Sequence, residues 1–208
     1  MYVRDAKNRE EVWLLDHIEA MGLDETSFRS RDYVVAIDEQ SGAKAGFARI
    51  RVHKTDADSE GGDTESPEDE PTECCELTSI GVLENWRGQG VGAHIIERLV
   101  EYAGDDGFET VYALTGEADY LRQFGFRRIE ESSLPEPLVN RLEEKRNGID
   151  PEAIPLVLDI ESFELPERLR EAFKRATERD ESAESTEESP EDFGIDSDSA
   201  TYKYDTGR

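Results

Sequence analysis

The residues best suited to chemistry lie close together, in the run VLENWRGQGVGAHIIERL that begins at Val82. It holds Arg87, Gly90 and Gly92 in the pattern R-x-x-G-x-G, with Gly88, Gln89 and Val91 completing the turn. The sequence before it reads as a strand and the sequence after it as an amphipathic helix, so the glycines fall at a strand-to-helix junction. There they let the backbone approach a ligand closely, and the unpaired N–H groups of the first helical turn, aided by the helix dipole, point at an anion such as a phosphate. A dinucleotide fingerprint would need G-x-G-x-x-G, and a P-loop would need Lys-Ser or Lys-Thr after its last glycine; neither is present.

The elements that must position this turn can be read from spacing. Asn8 and Glu11 have capping-box spacing ahead of a helix in which Val12, Leu14, Leu15, Ile18 and Met21 recur up to Gly22. Tyr33 to Ile37 and Gly46 to Val52 read as a β-hairpin. A strand from Cys74 to Leu83, the glycine turn, a helix with Ile95, Ile96, Leu99, Val100 and Ala103 on its buried face, and a strand from Phe108 to Leu114 then form a βαβ unit. A short helix from Glu117 to Phe124 ends at Gly125, followed by strands at Phe126 to Ile129 and Ile154 to Ile160. Pro166 opens a last helix with Leu165, Leu169, Ala172 and Phe173 on one face. Between these elements, residues 55–73 read as an acidic, mobile insertion, and 176–208 as a disordered acidic tail after a domain spanning 1–175.

Composition narrows the partners. With 51 Asp and Glu against 24 Lys and Arg, the formal net charge is -27, and the carboxylates are spread over nearly every loop and helix face. Such a surface fits a protein kept solvated in a salty, halophilic cytoplasm. Nucleic-acid binding is disfavoured because the chain lacks a basic stripe. No apolar run is long enough for a membrane span and the N-terminus does not read as a signal peptide, so a cytoplasmic location is expected. Adjacent Cys74 and Cys75 must face opposite sides of a strand and read as core thiols. His17, His53 and His94 have no metal-ligand spacing, so no metal is expected.

The stretches ELTSIGVLENWRGQGVG and YLRQFGFRRI resemble two signatures of the GCN5-related N-acetyltransferase (GNAT) family. The resemblance implies an α/β (α+β) fold: a mixed, mostly antiparallel sheet flanked by helices and splayed at an acetyl-CoA site. It implies that Arg87, Gly88, Gln89, Gly90, Val91 and Gly92 cradle the pyrophosphate. Val82 and Leu83 would pair through the backbone with the pantetheine arm, with an N–H near Val82 as oxyanion donor. A base must take the proton of the attacking amine, and Glu76 is the candidate: the period-two rule places it on the face of Val82. Family members often carry a tyrosine where this chain has Leu121; Tyr120 is one residue off, turned about 100° away around a helix, and is the candidate acid.

The likeness of Leu114, Thr115, Leu134 and Pro135 to the glutamate N-acetyltransferase branch implies acetyl transfer from acetyl-CoA to the amine of a small molecule, such as glutamate. Arg49 and Arg51, which share a face, are candidates to hold its carboxylate; Arg127 and Arg128 face opposite ways, so at most one could join them. A protein Lys or N-terminal acetyltransferase and a non-catalytic acyl-CoA-binding module remain open alternatives. The oligomeric state is open, with a homodimer as one option.

Overall fold

The computed structural model describes residues 1–54 and 73–177. The expected mobile insertion and acidic tail therefore lie outside the described residues, except at their edges. Glu73 begins a strand, Ala176 is buried in the core, and Thr177 is bonded to Gln89, so the folded unit extends slightly beyond the expected limit of 175.

Seven strands form one sheet in the order β1-β2-β3-β4-β5-β7-β6. They are β1 (Tyr2–Asp5), β2 (Tyr33–Ile37), β3 (Lys44–Lys54), β4 (Glu73–Val82), β5 (Thr110–Thr115), β6 (Arg127–Arg128) and β7 (Ile154–Asp159). The β4–β5 pair is parallel and every other pair antiparallel. A parallel pair needs a crossover, which α2 (Val91–Asp105) supplies as the βαβ reading predicts.

α2 packs its apolar stripe against one face of the sheet: Ile95, Ile96 and Leu99 are at most 1% exposed. Each such side chain removed from water contributes roughly 1.5–3 kcal/mol. Helix α1 (Glu11–Ala20) covers the other face, with Leu14 and Ile18 against Tyr33, Val35 and Phe47. Its start is fixed differently from the Asn8–Glu11 expectation. The Glu10 side chain accepts the Lys7 N–H at 2.8 Å and a two-pronged contact from Arg4, which together hold its carboxyl down at about 2 despite burial.

Two elements carry no signal in the periodicity. β1 is a four-residue edge strand. α4 (Glu136–Asn147) buries Leu138, Arg141, Leu142 and Lys145 on one face. That spacing is helical, but two of the four inward side chains are cations, so hydrophobic periodicity does not mark the helix.

One irregularity in the sheet sets which way the β4 side chains point. Across β3 and β4, Phe47 faces Gly81 but Arg49 faces Thr78, so two β4 residues oppose Ala48 alone. The extra residue is a β-bulge at Ser79 and Ile80, and Ser79 adopts a left-handed φ of 53°. The strain of that backbone, about 1–3 kcal/mol, is held by a buried hydrogen bond of 2.7 Å from the Ser79 hydroxyl to the Asp24 carbonyl. Among the described residues, no helix is long and apolar enough to cross a membrane.

Candidate active site

Below the bulge, Cys75 and Leu77 face α2, while Cys74 and Glu76 face the α4 side. Cys74 and Cys75 are free, buried and on opposite faces, and burial pushes their thiols up to about 11 and 12. Above the bulge the phase is reversed, so Val82 again faces α2, close to Gly92. Glu76 and Val82 therefore lie on opposite faces, against the expectation from strict alternation.

The β4–β5 ladder contains only Cys75–Val111 and Glu76–Tyr112. Beyond it the strands diverge, and a cleft of about 650 Å³ opens between Leu77–Val82 and Ala113–Thr115. Val82, Arg87, Gly92 and Tyr120 line one part of it, and Asp24, Thr78, Lys145 and Asp150 are also in its walls.

The glycine turn has the conformation its sequence demands. Gly88 and Gly90 lie at φ of 72° and 77°, where a side chain would be strained. His94 N–H is bonded to Gly90 O at 3.2 Å. The preceding amides of Val91, Gly92 and Ala93 are left over by the geometry of a helix start. A Cβ on Gly92 would stand 2.7 Å from the Tyr120 hydroxyl and 3.3 Å from Val82 Cγ2, so any side chain there would push the tyrosine hydroxyl aside. This bare backbone suits the diphosphate and pantetheine of coenzyme A.

Two expected backbone contacts need correction. The Leu83 N–H donates to Ala45 O at 2.9 Å and is committed to β3. The Val82 carbonyl accepts from Arg87 Nε at 3.2 Å. Gln89 turns its side chain away from the cleft, donating to Asn85 O and Thr177 O and accepting the Thr177 N–H.

Tyr120, on α3 (Ala118–Arg122), does not point away as its offset suggests. In so short a helix both Tyr120 and Leu121 reach the cleft. The tyrosine is 38% exposed, yet its hydroxyl lies against the Gly92 position, and burial pushes the phenol up to about 12. It stays protonated at any working pH and can donate a hydrogen bond.

Glu76 sits differently from a base in the cleft. It is fully buried and is not among the residues lining the cleft. His53 Nε2 lies 2.8 Å from Oε2 and Arg141 Nε 3.5 Å from it, and Lys145 Nζ lies 2.8 Å from Oε1. The Lys145 ammonium also donates to Thr78 Oγ1 at 3.1 Å and Leu114 O at 3.0 Å. Burial alone would raise the Glu76 carboxyl, but the His53 hydrogen bond and the two cations hold it far below the usual carboxylate range.

Arg141 continues the network to Asp24, which also meets Arg49 Nη2 at 3.1 Å. Burial would raise Asp24, and hydrogen bonds from Thr26 with the two arginines lower it overall. Arg49 is 1% exposed and pins the 24–26 loop, donating to Thr26 O at 2.8 Å, so it does not face the cleft. Arg51 shares its face, as expected, but lines a separate cleft beside Ser27. Arg127 and Arg128 are exposed on β6 and neither lines the main cleft. Sequence reasoning missed Lys145, Arg141 and Asp24. No group of metal-ligating side chains occurs among the described residues.

The model of the acetyltransferase (GNAT) family matches residues 3–126. An uncharacterized N-acetyltransferase of Chlorobaculum tepidum is 27% identical over 63 residues, covering 30% of this chain and 41% of the relative. Among solved structures, N-acetylglutamate synthase of Neisseria gonorrhoeae, complexed with coenzyme A and N-acetyl-glutamate, is similar with a TM-score of 0.57 at 18% identity. That likeness covers 76% of this chain but only 35% of the synthase. Rv2747 of Mycobacterium tuberculosis, in complex with CoA and NLQ, gives 0.58 at 16% identity, with 76% and 99% covered. At these identities the structural likeness is one of fold.

Proposed function

The chain belongs to the acetyltransferase (GNAT) family, and on that premise we propose that it is an acetyl-CoA-dependent N-acetyltransferase whose acceptor is a small amine bearing a carboxylate, such as an amino acid. The observation that carries the transferase reading is the divergence of β4 from β5 directly beside the bare Gly88–Gly92 turn. One continuous cleft then offers amides for phosphate and an unpaired strand edge for an extended thioester arm.

When bound, acetyl-CoA supplies the activated acyl group. The amides of the α2 start and Arg87 hold its phosphates, and the β5-facing edge of β4 near Val82 orients the thioester carbonyl toward the amine. Tyr120 donates its hydroxyl proton toward the departing sulfur. The amine must be neutral to attack, so its proton passes through cleft water to a carboxylate in the wall. Glu117 and Asp150 line the cleft and face no cation among the described residues, which suits them to that role better than Glu76.

The acceptor class follows from charge. Behind the cleft floor Arg49, Arg141 and Lys145 meet Asp24, Glu76 and the exposed Glu144, and of these three cations Lys145 lines the cleft itself. A lysine in the cleft wall of a chain of net charge -27 favours an acceptor that brings its own anion. Glutamate fits this pattern and is the first acceptor to try.

Thiol release from acetyl-CoA in molar KCl, across amino acids, polyamines and Lys peptides, tests the proposal. Release with acidic or neutral amino acids supports it. Release confined to polyamines or peptides overturns the acceptor assignment. Acetyl-CoA binding without release under any acceptor would make the chain an acyl-CoA-binding module.

A further inference from the structure

Helix α5 (Glu167–Lys174) lies outside the region that matches the family, yet it is built against the donor turn. A Cβ on Gly90 would stand 2.2 Å from the Leu169 carbonyl. The Phe173 ring stacks on His94, in the first turn of α2, with centroids 3.9 Å apart. Gln89 and Thr177 exchange hydrogen bonds of 2.9 and 3.1 Å just past the helix.

The helix also carries a local excess of positive charge. Arg170 faces Glu97 at 2.7 Å and Lys174 faces Glu171 at 2.7 Å. Arg168 differs: its guanidinium donates to the neutral Gln123 side chain at 2.6 Å and has no carboxylate partner among the described residues. Gln123 in turn donates to the Tyr120 carbonyl at 2.8 Å, and the Tyr120 hydroxyl touches the Gly92 position. Arg87, at the other end of the turn, likewise donates only to a neutral carbonyl, Val82 O. Two arginines without counter-ions among the described residues thus stand on the segments that meet at the α2 start, Arg87 on the turn itself and Arg168 on the helix packed against Gly90, in a chain with 51 acidic residues.

We propose that Arg168 of α5 is a further binding residue for the nucleotide end of the acyl donor, supplying a guanidinium to a phosphate held at the Gly88–Gly92 turn. The inference rests on the acetyltransferase reading. A guanidinium offers a planar fork to phosphate oxygens, and such a charged hydrogen bond adds to what backbone amides provide.

Calorimetric binding of acetyl-CoA and of acetyl-pantetheine, which lacks every phosphate, tests it on the full chain at low and molar KCl. Arg168→Gln is expected to raise the Kd for acetyl-CoA at least tenfold at low salt and less at molar salt, leaving acetyl-pantetheine unaffected. Gln123→Ala, which removes the protein partner but keeps the charge, is expected to hold acetyl-CoA affinity within about twofold. Unchanged acetyl-CoA binding in Arg168→Gln, equal losses for both donors, or a tenfold loss in Gln123→Ala would each overturn the assignment. Failure of the unaltered chain to bind acetyl-CoA would overturn the acetyltransferase reading, and this inference with it.

Discussion

Replacing Glu76 by Gln separates a base from a buried anchor. The substitution keeps the shape and removes the charge that faces Lys145 at 2.8 Å and Arg141 at 3.5 Å. One pair at 2.8 Å has a gross attraction of about 6 kcal/mol at an effective dielectric of about 20. Desolvation of the ions offsets much of it, but removing one partner strands the others in the interior, which costs about 3–5 kcal/mol. With a urea slope of about 2 kcal/mol/M, the unfolding midpoint should fall by about 1.5–2.5 M. The pH dependence has a definite sign. The folded carboxyl is depressed, so its stabilisation is complete above the unfolded value of about 4.3 and is lost as pH falls toward the folded one. The gap between wild type and variant should therefore be full at pH 7 and shrink on acidification below about pH 4. Urea titrations at several pH values measure both quantities, and Lys145→Met with the double variant gives a coupling of about 1–3 kcal/mol. If Glu76→Gln keeps its stability within about 1 kcal/mol at pH 7 while thiol release falls a hundredfold, the anchor is refuted and Glu76 is the base.

Tyr120→Phe should lower kcat for thiol release about tenfold to a hundredfold with KM for acetyl-CoA little changed; an unaltered kcat would remove the hydroxyl from the reaction. Gly92→Ala places a methyl against the movable Tyr120 hydroxyl, so the fold should survive while acetyl-CoA affinity, read by calorimetry, drops roughly tenfold. Gly90→Ala meets the Leu169 backbone at a left-handed φ and should lose about 2–4 kcal/mol of stability in denaturant titration. Cys74 and Cys75, with thiols near 11 and 12, should resist a thiol reagent at pH 7 until urea unfolds the chain.

The donor half of the site is legible in sequence because it depends on backbone shape. Gly88 and Gly90 lie at left-handed φ values that strain other residues, and Gly92 leaves room for the Tyr120 hydroxyl, so the requirement is written in residue type. The floor of the cleft is not legible, for two physical reasons. The bulge at Ser79 and Ile80 adds one residue to β4 with Gly81 beside it as the one local mark, and that residue carries Glu76 and Val82 to opposite faces. In α4 the inward side chains Arg141 and Lys145 look like the solvated face of a charged helix. Their burial is explained by Asp24 and Glu76, which stand 117 and 69 positions earlier in the chain (141 − 24 and 145 − 76). Arg49 fails as a substrate ligand for the same reason: the carboxylate it holds is the chain's own Asp24.

The hydrogen bonds between Gln89 and Thr177 join residues 88 positions apart. During synthesis, at about 5–20 residues per second, Thr177 is added roughly 4–18 s after Gln89. Through that interval the nascent sheet can pair β1 to β4, but the donor turn lacks the segment that closes over Gly90. The contact that closes over the donor turn is thus supplied by one of the last described segments to be synthesised, and a chain that stops short of residue 177 lacks the hydrogen bonds that hold Gln89.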